Sequence, residues 1–141
     1  MYEQMIEKGM SQGGRTQPVK VGICLEDDFI SRKSLKRLGL VCISNTDGTA
    51  RIFLDCGDEC KSPQPARDIV LEQCEKFDSK MPSAIVAVGP ERGWTDDEAK
   101  IFVEECGFQS AMLGSSILRV NSAVVSGLGI VSAALDECYV K

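Results

Sequence analysis

The chain has 141 residues, 43% apolar and 26% charged, enough for one ordinary globular core. Its net charge of −5 and pI of about 4.8 exclude recruitment of nucleic acid by the whole-molecule field, so any such contact must be local. The absence of histidine removes the usual general base and every Ser-His or Cys-His nucleophile arrangement.

The opening, MYEQMIEKGMSQGGR, reads as a helix closed by Gly13 and Gly14, and PVKVGICL as a strand or extended segment. SRKSLKR, Ser31 to Arg37, has helical character and four cations in seven residues. It is the candidate basic patch, and equally the solvated face of an exposed helix. LVCIS and ARIFLD are strand-like, and the turn-rich NTDGT between them suits a hairpin. CGDECKSPQP reads as loop, and ARDIVLEQCEKF as an amphipathic helix with Ile69, Leu71 and Cys74 inward.

From Ser83 the signal sharpens. SAIVAV is a continuous apolar run, as expected of a strand covered on both faces in a parallel sheet. It stops at Gly89 and Pro90, and ERGW follows. Thr95 and Glu98 form a capping box; Ala99, Phe102, Val103 and Cys106 share one helical face, and Gly107 sits at the C-terminal cap. FQSAML is the next strand and GSSILRVNS the next loop. A final helix, about Ser122 to Cys138, carries Val124, Leu128, Val131 and Leu135 on one stripe. Its apolar run is broken by serines and falls short of the ~20 residues of a membrane span. Alternating strands and helices predict an α/β fold with a parallel sheet, one domain over residues 1–141.

Seven cysteines, at 24, 42, 56, 60, 74, 106 and 138, are an odd number with no signal-peptide pattern before them. Cys24, Cys42, Cys74 and Cys106 sit in apolar contexts, which predicts buried free thiols in a reducing compartment. The close pair Cys56 and Cys60 has neither a histidine nor a second pair to complete a zinc site, so no metal is expected.

In a parallel sheet both loops, Gly89 to Trp94 and Gly114 to Ser122, leave the carboxyl ends of their strands, where open α/β folds hold ligands. Each opens with a glycine and runs into a helix N-terminus. Leu113, Ile117 and Leu118 can flank a flat ring, Glu91 can attract a positive centre, and Arg119 can meet a phosphate or carboxylate. The same pattern is served by a plain strand terminator at Gly89, core residues at Ile117 and Leu118, and a surface ion pair between Glu91 and Arg119. Neither the G-x-G-x-x-G fingerprint nor a P-loop is present.

AVGPERGWTDDE followed by FQSAMLGSSILRVNSA resembles the paired motifs of the RsmE-like methyltransferases of the SPOUT superfamily. Gly89, Pro90, Glu91, Gly93 and Trp94 match the first block, and Gly107 and Phe108 the middle. Leu113, Gly114, Ile117, Leu118, Arg119 and Ala123 match the last, and QGGRTQPV is a weaker echo near the front. The clear resemblance covers about Ser83 to Leu135.

The resemblance implies a C-terminal trefoil knot, with S-adenosylmethionine held bent inside it. It implies methylation of N3 of a uridine in small-subunit ribosomal RNA, a homodimer through the last helix, no membrane, and a cytoplasmic location with an organelle as the other option. Leu54, Val88, Gly89, Pro90, Gly93, Leu113, Gly114, Ile117 and Leu118 become the cofactor-binding set. Arg119 and Glu91 become catalytic: Arg119 orients the target nucleotide or stabilises charge on uracil, and Glu91 shapes the cofactor loop. Arg92 and Asn121 become RNA or phosphate contacts. The small residues Ala123, Ser126, Gly127, Gly129, Ser132 and Ala133 suit close helix approach in a dimer.

Three positions depart from the family pattern. Arg92 replaces its second glycine, Ser116 an arginine, and Asn121 an acidic residue. The family's N-terminal β-barrel and opening strands are not recognisable here, so the chain is expected to be the knotted, C-terminal part of such an enzyme. The alternative is a non-catalytic, cofactor- or RNA-associated module of the same fold.

Overall fold

A computed structural model describes residues 35–36, 48–54, 63–77, 82–115 and 118–140. Four strands, β1 (Ala50–Leu54), β2 (Gln64–Pro65), β3 (Ala84–Val88) and β4 (Gln109–Met112), form one all-parallel sheet in the order β2-β4-β1-β3. Among the described residues they are accompanied by α1 (Ala66–Phe77), α2 (Asp96–Lys100, continued by a wider turn over Ile101–Glu105) and α3 (Val120–Val140).

β1 is buried along its whole length because alternate residues serve opposite faces. Ala50, Ile52 and Leu54 join a core with Ile69 and Val70 of α1 and Val131 and Ala134 of α3. Phe53 points the other way, into a core with Phe102, Cys106, Phe108 and Leu35. β3 divides likewise, Val86 and Val88 to the first core and Ile85 and Ala87 to the second, which is why SAIVAV has no polar alternation. The helices therefore separate: α1 and α3 cover one face, α2 the other.

One charged side chain is buried between layers. Arg51 donates from Nη1 to the Cys106 carbonyl at 2.7 Å, placing a cation at the C-terminal end of the α2 segment, where the helix dipole favours it. Burial, foremost, pushes the Cys106 thiol up, so it is a packing group rather than a nucleophile.

The structure corrects several expectations. β1 has β3 on one side and β4 on the other, both parallel, so an antiparallel LVCIS–ARIFLD hairpin has no free edge along Ile52–Leu54. In α1 the buried residues are Ala66, Ile69 and Val70, with Leu71 and Cys74 only half-buried. In α2 the Cys106 amide bonds the Ile101 carbonyl five residues back, which shifts the helical phase and leaves Val103 40% exposed. α3 is longer than expected and buries Gly127, Val131 and Ala134, while Val124 and Leu128 lie outside.

By length and composition alone α3 is long and apolar enough to cross a membrane. It instead packs along α1 and β3, and carries Asp136 and Glu137 near its end. Cys74 is not a free thiol: it pairs with Cys138 as a disulfide joining α1 to α3. The Arg67 guanidinium grips Glu137 at 2.7 and 3.2 Å beside it.

The expected N-terminal helix and PVKVGICL strand, the LVCIS strand, the Cys56–Cys60 pair, Cys24 and Cys42 lie outside the described residues. Of SRKSLKR only Leu35 and Lys36 are described, helical, with Leu35 buried and Lys36 exposed. The expected knot depends on the chain path through 55–62 and 116–117, also outside them.

The disulfide spans a sequence separation of 64 residues. Cys138→Ser is expected to lower the unfolding free energy by about 2–4 kcal/mol in guanidinium melts. An unchanged midpoint would show that the two thiols do not pair in solution.

Candidate functional site

β3 and β4 flank β1, with Leu54 opposite Val88 on one side and Ala111 on the other. The loops that follow them, residues 89–95 and 113–119, therefore emerge at one sheet edge on either side of the end of β1. From there the chain turns to opposite faces, into α2 after β3 and into α3 after β4. Such a divergence opens a crevice outside the strand ends, the usual ligand position in open parallel sheets.

The first loop is tightly built. The Trp94 ring lies across Gly89, where a Cβ would meet Nε1 at 2.8 Å and Cε2 at 2.9 Å. Its Nε1 donates to the Leu54 carbonyl at 2.9 Å, and the ring packs on Phe53 and Phe102 at centroid distances of 4.7 and 5.1 Å. The indole thereby ties the loop to the end of β1. Gly93 donates its amide to the Pro90 carbonyl at 2.9 Å, closing a turn with Glu91 and Arg92 at its apex. Gly93 has φ +79°, so this glycine is required for its conformation, whereas Gly89 is required for space.

Arg92 turns toward α2. Its Nη2 and Nη1 donate to the two carboxylate oxygens of Glu98 at 2.8 and 3.2 Å, and Nη1 also to the Gly93 carbonyl at 3.0 Å. Glu98 completes the expected capping box, accepting from the Thr95 amide at 2.9 Å while its own amide donates to Thr95 Oγ1 at 3.3 Å. The Arg92 hydrogen bonds, foremost, hold the Glu98 carboxyl below the ordinary glutamate range; partial burial opposes them and the Thr95 amide assists. The native state thus binds this proton less readily than the unfolded chain. The contribution is complete above the ordinary glutamate range and is lost as pH falls through the lowered native value.

In the second loop and the helix start that follows, Ser115, Arg119 and Asn121 are exposed. Leu113 is half-buried on the first core, close to Gly127 of α3. Gly114 is exposed, has no positive φ, and a Cβ there would meet nothing within 4 Å among the described residues. Leu118 is half-buried, and Ser116 and Ile117 lie outside the described residues. Arg119 is exposed at the N-terminal cap of α3, its carbonyl accepting from the Ala123 amide at 2.8 Å, and Asn121 is exposed in the first turn. A cation at the positive end of a helix dipole costs a few tenths of a kcal/mol, so helix stability does not account for Arg119.

The predicted site residues meet at this edge with unequal freedom. Leu54 has its carbonyl taken by Trp94 and its side chain packed toward Gly127, so the fold uses both. Arg92 is committed to Glu98. Among the described residues the side chains of Glu91, Arg119 and Asn121 have no ionic or hydrogen-bonded partner, so the surface pair of Glu91 with Arg119 does not form. No metal-holding cluster occurs among the described residues. Sequence reasoning missed the Trp94 and Arg92 contacts. The Arg92 contact had a signal, an arginine in the turn before a capping-box glutamate.

A donor set of this kind suits a ligand that carries both a positive centre and an anionic group. An exposed carboxylate, an exposed guanidinium at a helix N-terminus and an uncrowded glycine lie on the two loops at this end of the sheet. Residues 1–132 match a family model described as an RNA methyltransferase domain. Over 60 residues the chain is 42% identical to the ribosomal RNA small subunit methyltransferase E of Synechocystis sp. (strain ATCC 27184 / PCC 6803 / Kazusa). That match takes in 42% of this chain and 20% of the relative. No solved structure is significantly similar to the chain.

Trp94 is the chain's single tryptophan, so its fluorescence reports on the first loop. Gly89→Ala is expected to push the ring off the Leu54 carbonyl, red-shift its emission and cost about 1–3 kcal/mol of stability. Unshifted emission would contradict the packing of Trp94 on Gly89.

Proposed function

This chain belongs to the RNA methyltransferase domain family, and on that premise we propose that it methylates N3 of a uridine in small-subunit ribosomal RNA with S-adenosylmethionine. What supports this reading is the placement of Glu91 in the loop after β3 and of Arg119 in the loop after β4, at the same end of the parallel sheet, neither side chain having an ionic or hydrogen-bonded partner among the described residues. Bound S-adenosylmethionine supplies a methyl group made electrophilic by its sulfonium. The backbone of Gly93 and Gly114, open where a Cβ would stand, lets the cofactor approach closely, and Glu91 sets a negative potential that favours the cation. Arg119 orients the target nucleotide and stabilises the negative charge that develops on uracil as N3 gives up its proton to solvent water, before N3 takes the methyl group and the neutral thioether leaves. Asn121 can hydrogen-bond the base or a phosphate, but its amide takes no proton at neutral pH.

Two further parts of the reading concern the whole assembly. The loop before α3 threads a trefoil knot, and two chains pair through α3. Support for pairing comes from the stripe Val124, Val125, Leu128 and Tyr139, respectively 37%, 73%, 56% and 57% exposed. Gly127 serves the fold, packing toward Leu54, while Gly129 is open on its helix. The second reading, a binding module without catalysis, rests on Asn121 at the position of the family's acid.

Transfer of a labelled methyl group to small-subunit ribosomal RNA separates the two. Arg119→Ala is expected to reduce transfer at least about a hundredfold, the scale of a lost charge-stabilising donor, while cofactor affinity changes little. Equal loss of cofactor binding would remove Arg119 from its proposed role. Leu128→Glu is expected to shift the sedimenting species from dimer to monomer, and a monomeric parent chain would overturn the pairing.

A further inference from the structure

Arg92 occupies the apex of the loop that forms one wall of the crevice, yet its guanidinium is directed back onto α2. Both terminal nitrogens reach the Glu98 carboxylate, and one also reaches the Gly93 carbonyl of its own turn. Glu98 is 17% exposed and already fixed by the Thr95 amide, so the pair meets a rigid partner. We propose that Arg92 is a positioning residue: its clasp on Glu98 fixes the Pro90–Gly93 turn against the start of α2 and presets the cofactor wall of the crevice, and it does not contact RNA phosphate. The inference rests on the methyltransferase reading for what that wall binds, though not for the clasp itself.

The loop between β3 and α2 has two anchors. Trp94 fixes one side of the turn to β1, and without Arg92 the apex would be held, among the described residues, by the Gly93–Pro90 hydrogen bond alone. A glycine at 92 beside Gly93 would leave two freely rotating residues at the point where Glu91 must face the cofactor. An exposed ion pair is ordinarily weak because two long side chains must be ordered. Here only one must be, and the planar guanidinium matches the carboxylate with two parallel donors.

Two variants test this. Arg92→Gly removes the clasp; Glu98→Gln removes its charge yet keeps a residue that can complete the capping box. In each, exchange of the Gly93 amide, measured on the cofactor-free chain, is expected to accelerate about 2–5-fold, the scale of an exposed pair. Affinity for S-adenosylmethionine should fall by a similar factor. The double variant should be no worse than either single one, as expected when two residues form one interaction. Arg92→Lys should recover part of both effects. The salt dependence of binding to a short uridine-rich RNA should stay that of the parent, whereas loss of a phosphate contact lowers the slope by about one. Unchanged Gly93 exchange in Arg92→Gly, or a reduced salt slope with unchanged cofactor affinity, overturns the proposal. A parent chain that binds no cofactor overturns the methyltransferase reading, while Gly93 exchange still decides the clasp.

Discussion

The position of β1 between β3 and β4, all three parallel, is the constraint on which the rest depends. A central parallel strand must be covered on both faces, so helices are needed on each side of the sheet. Because α2 follows β3 to one face and α3 follows β4 to the other, their loops part at the end of β1. The divergence of the two loops is thus a consequence of strand order and of the two cores, and it falls where open parallel sheets hold ligands.

Within that geometry the residues of the two loops divide by what the fold asks of them. Gly89 makes room for Trp94, Trp94 ties the loop to Leu54, and Arg92 and Glu98 bind the turn to its helix. Each is accounted for by packing or hydrogen bonding. Among the described residues, Glu91, Gly114, Arg119 and Asn121 have no such part. They are exposed, and Arg119 stands at the helix end that disfavours a cation. Chemistry that the fold does not explain, gathered at the edge where parallel sheets bind ligands, is the physical basis for assigning function here.

Much of this was legible in the sequence. The uninterrupted apolar run of β3 announced a strand that meets a core on each face, although its residues are only half-buried, and Thr95 with Glu98 announced the start of α2, because both signals are local. Gly107, at φ +66°, was legible for the same reason. What escaped was non-local or a matter of phase. The partners of β1 depend on tertiary pairing, so the turn-rich stretch between LVCIS and ARIFLD suggested a hairpin, whereas Ile52–Leu54 pair with parallel strands on both sides. The wider turn in α2 displaced Val103, and α3 is apolar enough around its circumference that periodicity did not show which side faces the sheet. Cys74 and Cys138 are 64 positions apart, and only the packing of α1 on α3 brings them together. In the candidate site, Glu91 and Arg119 were identified by residue type and by resemblance, while the turn of Arg92 toward α2 needed three dimensions.

Calorimetric titration of this chain with S-adenosylmethionine, and with its demethylated product, tests the central claim most directly. Saturable binding of both at one site per chain is the predicted result. A folded chain that takes up neither would contradict the account, because a crevice so lined would then hold no methyl donor.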